Sequence, residues 1–121
     1  MGESTQHHAI NYIEFSTTNI EKTRQFYGKV FGWSFQDYGP EYISFGKANA
    51  GIDGGFRKSD AVAESGLGAP LIVLYSRDLK ATEDAVVAAG GTIMVPPFEF
   101  PGGRRFHFSD LGGNVVAVWS E

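Results

Sequence analysis

Few side chains in this sequence can do chemistry, and their spacing suggests what that chemistry is. Glu14 stands two residues after Tyr12, so in an extended segment both point to one face. On an aromatic face, desolvation would raise the carboxyl pKa and make Glu14 a base or an irregular metal ligand. The plainer alternative is a partly solvated, hydrogen-bonded carboxylate at a subunit contact. Arg105 and His107 share one face of Arg104–Phe108, and Phe106 and Phe108 share the other. A guanidinium beside an imidazole can hold a carboxylate or phosphonate-like anion, with His107 as acid or base near neutral pH. The alternative is a rim strand whose Arg pairs with Glu99 or Asp110 and whose His packs on aromatics.

Other motifs are weaker. His7–His8 can chelate a metal loosely, but their polar surroundings point to a disordered tail. Gly51–Gly55 (GIDGG) lacks the spacing of a dinucleotide or phosphate loop. Arg104–Arg105 is too short a basic run for nucleic acid. The absence of cysteine excludes disulfides, thiolate metal sites, iron–sulfur clusters and a Cys nucleophile.

These residues need elements to position them. Ile10–Thr17 reads as a strand. Thr18 or Asn19 can cap a helix, and Glu21 completes a capping-box spacing from Thr18. Ile20, Arg24, Tyr27 and Phe31 recur at helical spacing, Phe26 and Val30 widen the stripe, and Gly32 stops it. Strands are expected at Trp33–Tyr38, Glu41–Gly46 and Gly51–Phe56, the last two separated by the small residues Lys47–Ala50. After a polar stretch the same grammar restarts. Pro70–Tyr75 is a strand, Ser76 and Asp78 are caps, and Leu79, Thr82, Val86 and Ala89 form a helical stripe ended by Gly90–Gly91. Strands at Thr92–Val95, Arg104–Ser109 and Asn114–Trp119 follow. Pro96–Pro97 and Pro101–Gly103 bracket a segment expected to be a lid or a long hairpin turn.

Each half therefore reads βαβββ. The two helix starts differ by 79 − 20 = 59 positions and the two stops by 90 − 32 = 58, a repeat of organisation with little repeated identity. The expected fold is α+β: two βαβββ modules forming a cupped mixed β-sheet with flanking helices. One domain spans 1–121, with module one at about 9–57, a linker at about 58–69 and module two at about 70–121. Counting back from Phe45 and Phe108 makes Tyr42 and Ser44 the counterparts of Arg105 and His107. With Tyr12, Tyr75 and Trp119 they would give the cavity an aromatic lining, although such stripes more often serve packing.

The bulk numbers agree with one soluble domain. The chain has 121 residues, 42 % of them hydrophobic and 20 % charged, and a net charge of −4 gives no attraction for nucleic acid or anionic lipid. The longest apolar run, Pro70–Tyr75, is too short to span a bilayer, and the polar start MGESTQHH is not a signal peptide, so a cytoplasmic location is expected. Sixteen glycines and 17 aromatics favour short strands around large flat side chains.

The stretches INYIEFSTTNIEKTRQFYGKVFGW and FHFSDLGGNVVAVWSE resemble the vicinal oxygen chelate family of glyoxalases, extradiol dioxygenases, fosfomycin-resistance enzymes and bleomycin-resistance proteins. The resemblance rests on the Phe26-Tyr27 pair, on Phe31-Gly32-Trp33 and on the turn from Phe108 to Asn114, in that order. It implies that small members pair as homodimers. It also implies metal ligands at positions that fall on Tyr12, Leu71, Ala117 and either Asp53 or Gly54. Leu71 and Ala117 have no lone pair, and a neutral phenol is a poor ligand, so no cofactor is expected and a divalent metal is not favoured. In the fosfomycin-resistance relatives the positions matching Arg105 and His107 face the ligand. The expected function is metal-independent binding of a small, aromatic or anionic molecule, using Tyr12, Tyr42, Ser44, Asp53, Tyr75, Arg105 and Trp119. A lyase or dioxygenase with an irregular site is the alternative, in which Glu14, Asp53 and His107 supply ligands or acid–base groups. A protein-interaction module with a collapsed cup is a third.

Overall fold

A repeat of capped helices and short strands is what the chain builds. The computed structural model describes residues 7–60 and 69–121. In chain order the first half is β1 (Tyr12–Thr17), α1 (Ile20–Phe31), β2 (Gln36–Asp37), β3 (Tyr42–Phe45), α2 (Lys47–Ala50) and β4 (Asp53–Lys58). The second half is β5 (Ile72–Tyr75), α3 (Leu79–Ala88), β6 (Thr92–Phe100), β7 (Gly103–Ser109) and β8 (Val115–Ser120). Two four-stranded mixed sheets result, sheet one in the order β1-β4-β3-β2 and sheet two in the order β5-β8-β7-β6. In each, the strand before the main helix pairs in parallel with the last strand of its module, and the other pairings are antiparallel. The two βαβββ modules of the expected α+β fold are therefore present. Most of the linker expected at about 58–69 lies outside the described residues. No helix among the described residues is long and apolar enough to cross a membrane.

Both main helices start on a side-chain cap. Asn19 accepts from the Lys22 N–H at 2.9 Å, and Asp78 accepts from the Ala81 N–H at 3.1 Å. Gly32 ends α1 in the left-handed conformation, φ 73°. The Thr18–Glu21 capping box does not form. The backbone and hydroxyl of Thr18 instead donate to the Gly112 carbonyl, at 3.2 and 3.4 Å.

One core serves both modules. Tyr27 of α1 lies 5.1 Å from the Phe56 ring of sheet one, and Phe26 lies 5.7 Å from Phe108 of sheet two. The inward residues Ile43, Phe56, Phe106, Phe108, Val116 and Val118 are each at most 1 % exposed. Much of the aromatic excess is thus core. The modules are joined at the β7–β8 turn, where Asp110 is buried. It accepts from the Tyr27 hydroxyl at 2.8 Å and from the Gly112 and Asn114 N–H groups at 2.9 and 2.8 Å. The Asn114 amide donates to Asp110 and also to the Ser16 carbonyl of β1, at 2.9 Å. The turn also needs glycine for its close approach: a Cβ on Gly112 would lie 1.9 Å from Thr17 Oγ1.

Four expectations need correction. Only Gln36–Asp37 of the stretch Trp33–Tyr38 pairs as a strand, because Trp33 stacks on Tyr27 at 5.1 Å and Ser34 donates to Asn49. Lys47–Ala50 is a helical turn, closed by Gly51 at φ 85°, which delays β4 to Asp53. Ile10 precedes β1 and is 79 % exposed. The segment at Pro96–Pro97 is neither lid nor turn. β6 continues through it to Phe100, with register shifts between Ile93 and Val95 and between Val95 and Phe98 that accommodate residues lacking an N–H.

The Asp110 turn predicts a specific weakness. Asp110→Ala leaves buried donors from Tyr27, Gly112 and Asn114 without an acceptor and should cost about 3 kcal/mol in urea unfolding. A loss under about 1 kcal/mol would show that the junction does not depend on this carboxylate.

Candidate functional site

Each sheet turns one face to the core and leaves the other open. On sheet one, strand alternation places Tyr12, Glu14 and Ser16 of β1 on the open face with Tyr42 and Ser44 of β3 and Asp53 and Arg57 of β4. Tyr12 lies opposite Asp53, and Ser44 opposite Gly55. The Tyr42 ring crosses the sheet over Gly55, where a Cβ would sit 2.4 Å from its hydroxyl oxygen. From there the Tyr42 hydroxyl meets that of Tyr12 at 2.5 Å and donates to Glu14 Oε1 at 3.2 Å. Burial first, then the Tyr12 and Glu14 hydrogen bonds, push the Tyr42 phenol well above its ordinary range. Arg57 Nε donates to the other Glu14 oxygen at 3.3 Å.

Glu14 does have an aromatic neighbour, Tyr42, but it also has a counter-charge, which matches the alternative of a partly solvated, hydrogen-bonded carboxylate. Its carboxylate is half-exposed, paired with Arg57 and hydrogen-bonded by Tyr42. Asp53 Oδ1 accepts the Lys47 N–H at 2.8 Å. A cavity of about 630 Å³ opens over this face, lined by Tyr12, Tyr42, Ser44 and Asp53. Gln36 and Tyr38 also line it and were not anticipated, because the strand expected there is cut to two residues.

Sheet two presents different chemistry. Arg105 lies opposite Trp119 on one side and Phe98 on the other, and His107 opposite Ala117 and Val95. The Arg105 guanidinium carbon is 5.3 Å from the Phe98 ring centre and 5.4 Å from that of Phe100. Neither carboxylate proposed as its partner reaches it: Glu99 is in register with Arg104, and Asp110 is committed in the turn. His107 packs near Phe98, centroids 5.9 Å apart. Arg105 Nε and His107 Nε2 are both buried with no hydrogen-bond partner among the described residues. Burial and the neighbouring Arg105 charge lower the His107 pKa from its ordinary 6.5, so the imidazole is neutral at pH 7.

Tyr75 meets Trp119 edge-on at 5.2 Å. Its hydroxyl donates to Glu121 at 2.6 Å, and that bond raises the phenol pKa. Phe98 and Phe100 were missed as members of this face. Their alternation opposite Arg105 across Pro101–Gly102 was the available signal, hidden by the prolines.

The comparisons with known proteins now bear on this geometry. The model of the Glyoxalase/Bleomycin resistance protein/Dioxygenase superfamily matches residues 9–118. A glyoxylase-like domain-containing protein of Didymella fabae is 30 % identical over 129 residues, covering 93 % of each chain. CFP32 of Mycobacterium tuberculosis, provisionally named a glyoxylase, is 28 % identical over 116 residues, 90 % of this chain. The chain spans only 44 % of CFP32. A glyoxalase-related enzyme from Fulvimarina pelagi superposes with a TM-score of 0.76 at 20 % identity, over 94 % of this chain and 88 % of its own. The chain belongs to this superfamily.

The superfamily's metal positions can be tested on the residues that occupy them. Of the two candidates on β4, Asp53 faces the open side and Gly54 the core side, where the Phe45 ring abuts it. Tyr12 is engaged with Tyr42, Asp53 gives one oxygen to Lys47, Ala117 is fully buried, and Leu71 has no donor atom. This set does not fit a divalent cation. Among the described residues, no three His, Asp or Glu side chains converge.

The His107 environment predicts a pH effect on stability. Its folded pKa lies below the unfolded value of 6.5, so below that pH the unfolded chain binds more protons and stability falls. Urea midpoints between pH 7.5 and pH 5.5 (a window of about one unit on either side of 6.5) should decline in the parent protein and stay flatter in His107→Gln. Parallel declines in both would assign the effect to other groups.

Proposed function

We propose that this superfamily member binds a small aromatic acid on the open face of sheet two, without a resident metal. The observation that carries the reading is Arg105: a guanidinium within cation–π distance of two phenyl rings, with a buried Nε and no acidic partner among the described residues. A buried donor without an acceptor costs roughly 1–3 kcal/mol, and an anionic ligand would recover it. Guanidinium also recognises planar carboxylates through paired hydrogen bonds. Trp119 and Tyr75 offer ring surface beside the charge for an aromatic body. Tyr75 and Val73 on this face are 50 % and 41 % exposed, so a ligand has apolar area to cover. The neutral imidazole of His107, its Nε2 unpaired, can take up a proton as the anion arrives.

Binding is favoured over turnover because the strongest acid–base candidate, Glu14, already serves Tyr42 and Arg57 on the other sheet. The names of the glyoxylase-like relatives support a lyase reading instead, and the same experiment separates the two. Benzoate and salicylate should bind saturably by calorimetry and quench Trp119, with Trp33 shielded in the core. Arg105→Gln should weaken binding by about thirty-fold, the equivalent of roughly 2 kcal/mol, and Glu14→Gln by less than about two-fold. Affinity should rise as the pH falls through the His107 range, because the bound anion favours the imidazolium. Equal affinities for the parent and Arg105→Gln would overturn the proposal, as would metal-dependent turnover of a glyoxalase substrate that Glu14→Gln abolishes.

A further inference from the structure

The sheet-one cavity carries a second inference, which goes beyond the preceding proposal and stands on different residues. Its volume of about 630 Å³ is lined by three tyrosines, Tyr12, Tyr38 and Tyr42, and by one carboxylate, Asp53, with no Lys, Arg or His in its wall. The Tyr38 and Tyr42 rings meet at 62° with centroids 6.5 Å apart, forming a corner of two π surfaces. Tyr12 is tied into the same wall through the Tyr42 hydroxyl. Since Tyr42 donates to Glu14, the shared proton of the phenol pair comes from Tyr12, and the Tyr12 oxygen keeps its lone pairs.

The charge in the wall is uncompensated. Glu14, below the phenols, is neutralised by Arg57, but Asp53 has no basic side chain within ion-pair distance among the described residues. One Asp53 oxygen accepts the Lys47 N–H and the other has no hydrogen-bond partner among the described residues. A concave wall of ring faces and acceptor oxygens with one free negative charge attracts a cation that carries its own apolar surface. A bare metal ion would find a single carboxylate there and neutral phenols.

We infer that this cavity binds a small organic ammonium ion, held by the ring faces of Tyr38 and Tyr42 and by the charge of Asp53. Choline and its uncharged isostere 3,3-dimethylbutan-1-ol are the probes, titrated into the whole protein by calorimetry and by NMR of the tyrosine rings. Choline should bind about ten-fold more tightly than the alcohol. Asp53→Asn keeps an acceptor for the Lys47 N–H, so the fold is spared, and should remove most of that preference. Tyr38→Phe should bind choline within about two-fold of the parent, whereas Tyr38→Ala should lose about ten-fold. Equal affinity for the two isosteres, undiminished choline binding in Asp53→Asn, or no saturable choline binding would each overturn the inference. Benzoate binding measured alongside reports on Arg105 alone, so failure of one site is read separately from failure of the other.

Discussion

The Asp110 carboxylate holds the two halves of the molecule in register. It is a buried charge, and burial alone pushes its pKa up; the donated hydrogen bonds of Asn114, Tyr27 and Gly112 act in the opposite direction. Those donors come from α1 and from the β7–β8 turn, so satisfying one carboxylate fixes the helix of module one against the last hairpin of module two. The turn then passes the constraint on. Its Gly112 carbonyl receives Thr18, and the Asn114 amide holds the Ser16 carbonyl near the end of β1. Ser16 belongs to the same strand as Tyr12 and Glu14, so the position of the sheet-one face descends from this turn.

Given equivalent topology, the open faces differ because their outer strands differ. In sheet one the strand beyond β3 is two residues long, which leaves space over Tyr42 and Ser44 and produces the cavity. In sheet two the strand beyond β7 is nine residues long, and it carries Phe98 and Phe100 against Arg105. The first arrangement offers an open wall of phenols and a carboxylate. The second offers a charge set over two phenyl rings, its Nε buried without a hydrogen-bond partner among the described residues. Internal repetition thus produced two chemically opposite surfaces from one backbone plan.

Features carried by local chemistry were legible in the sequence. Asn19 and Asp78, each one of two candidate caps, and Gly32 marked the helix ends, and the alternation Arg105-Phe106-His107-Phe108 sorted open-face from core-facing side chains. What could not be read was set by partners distant in the chain. Glu14 looked like a carboxylate among aromatics because Arg57, its counter-charge, arrives 43 residues later through the β1–β4 pairing. Trp33 looked like the start of a strand because β propensity does not register that its ring is captured by Tyr27 and Phe45. Tyr38 joins the cavity only because that capture shortens β2. Phe98 and Phe100 were masked by prolines that ordinarily argue against a strand and are tolerated here at bulges on an edge.

The apolar neighbours of His107 bear on its protonation. Ala117 and Val95 flank His107 in register across β8 and β6, and neither offers it a hydrogen bond. The buried Ala117 methyl group offers neither a charge nor an acceptor that would favour the imidazolium, and burial lowers the His107 pKa. Arg105, two residues along the same strand, reinforces this by repulsion. At neutral pH the charge on the open face of this hairpin is therefore that of Arg105. The proposed preference for a flat, singly charged anion rests on that combination, because the cation, the imidazole and the phenyl rings all lie within one hairpin.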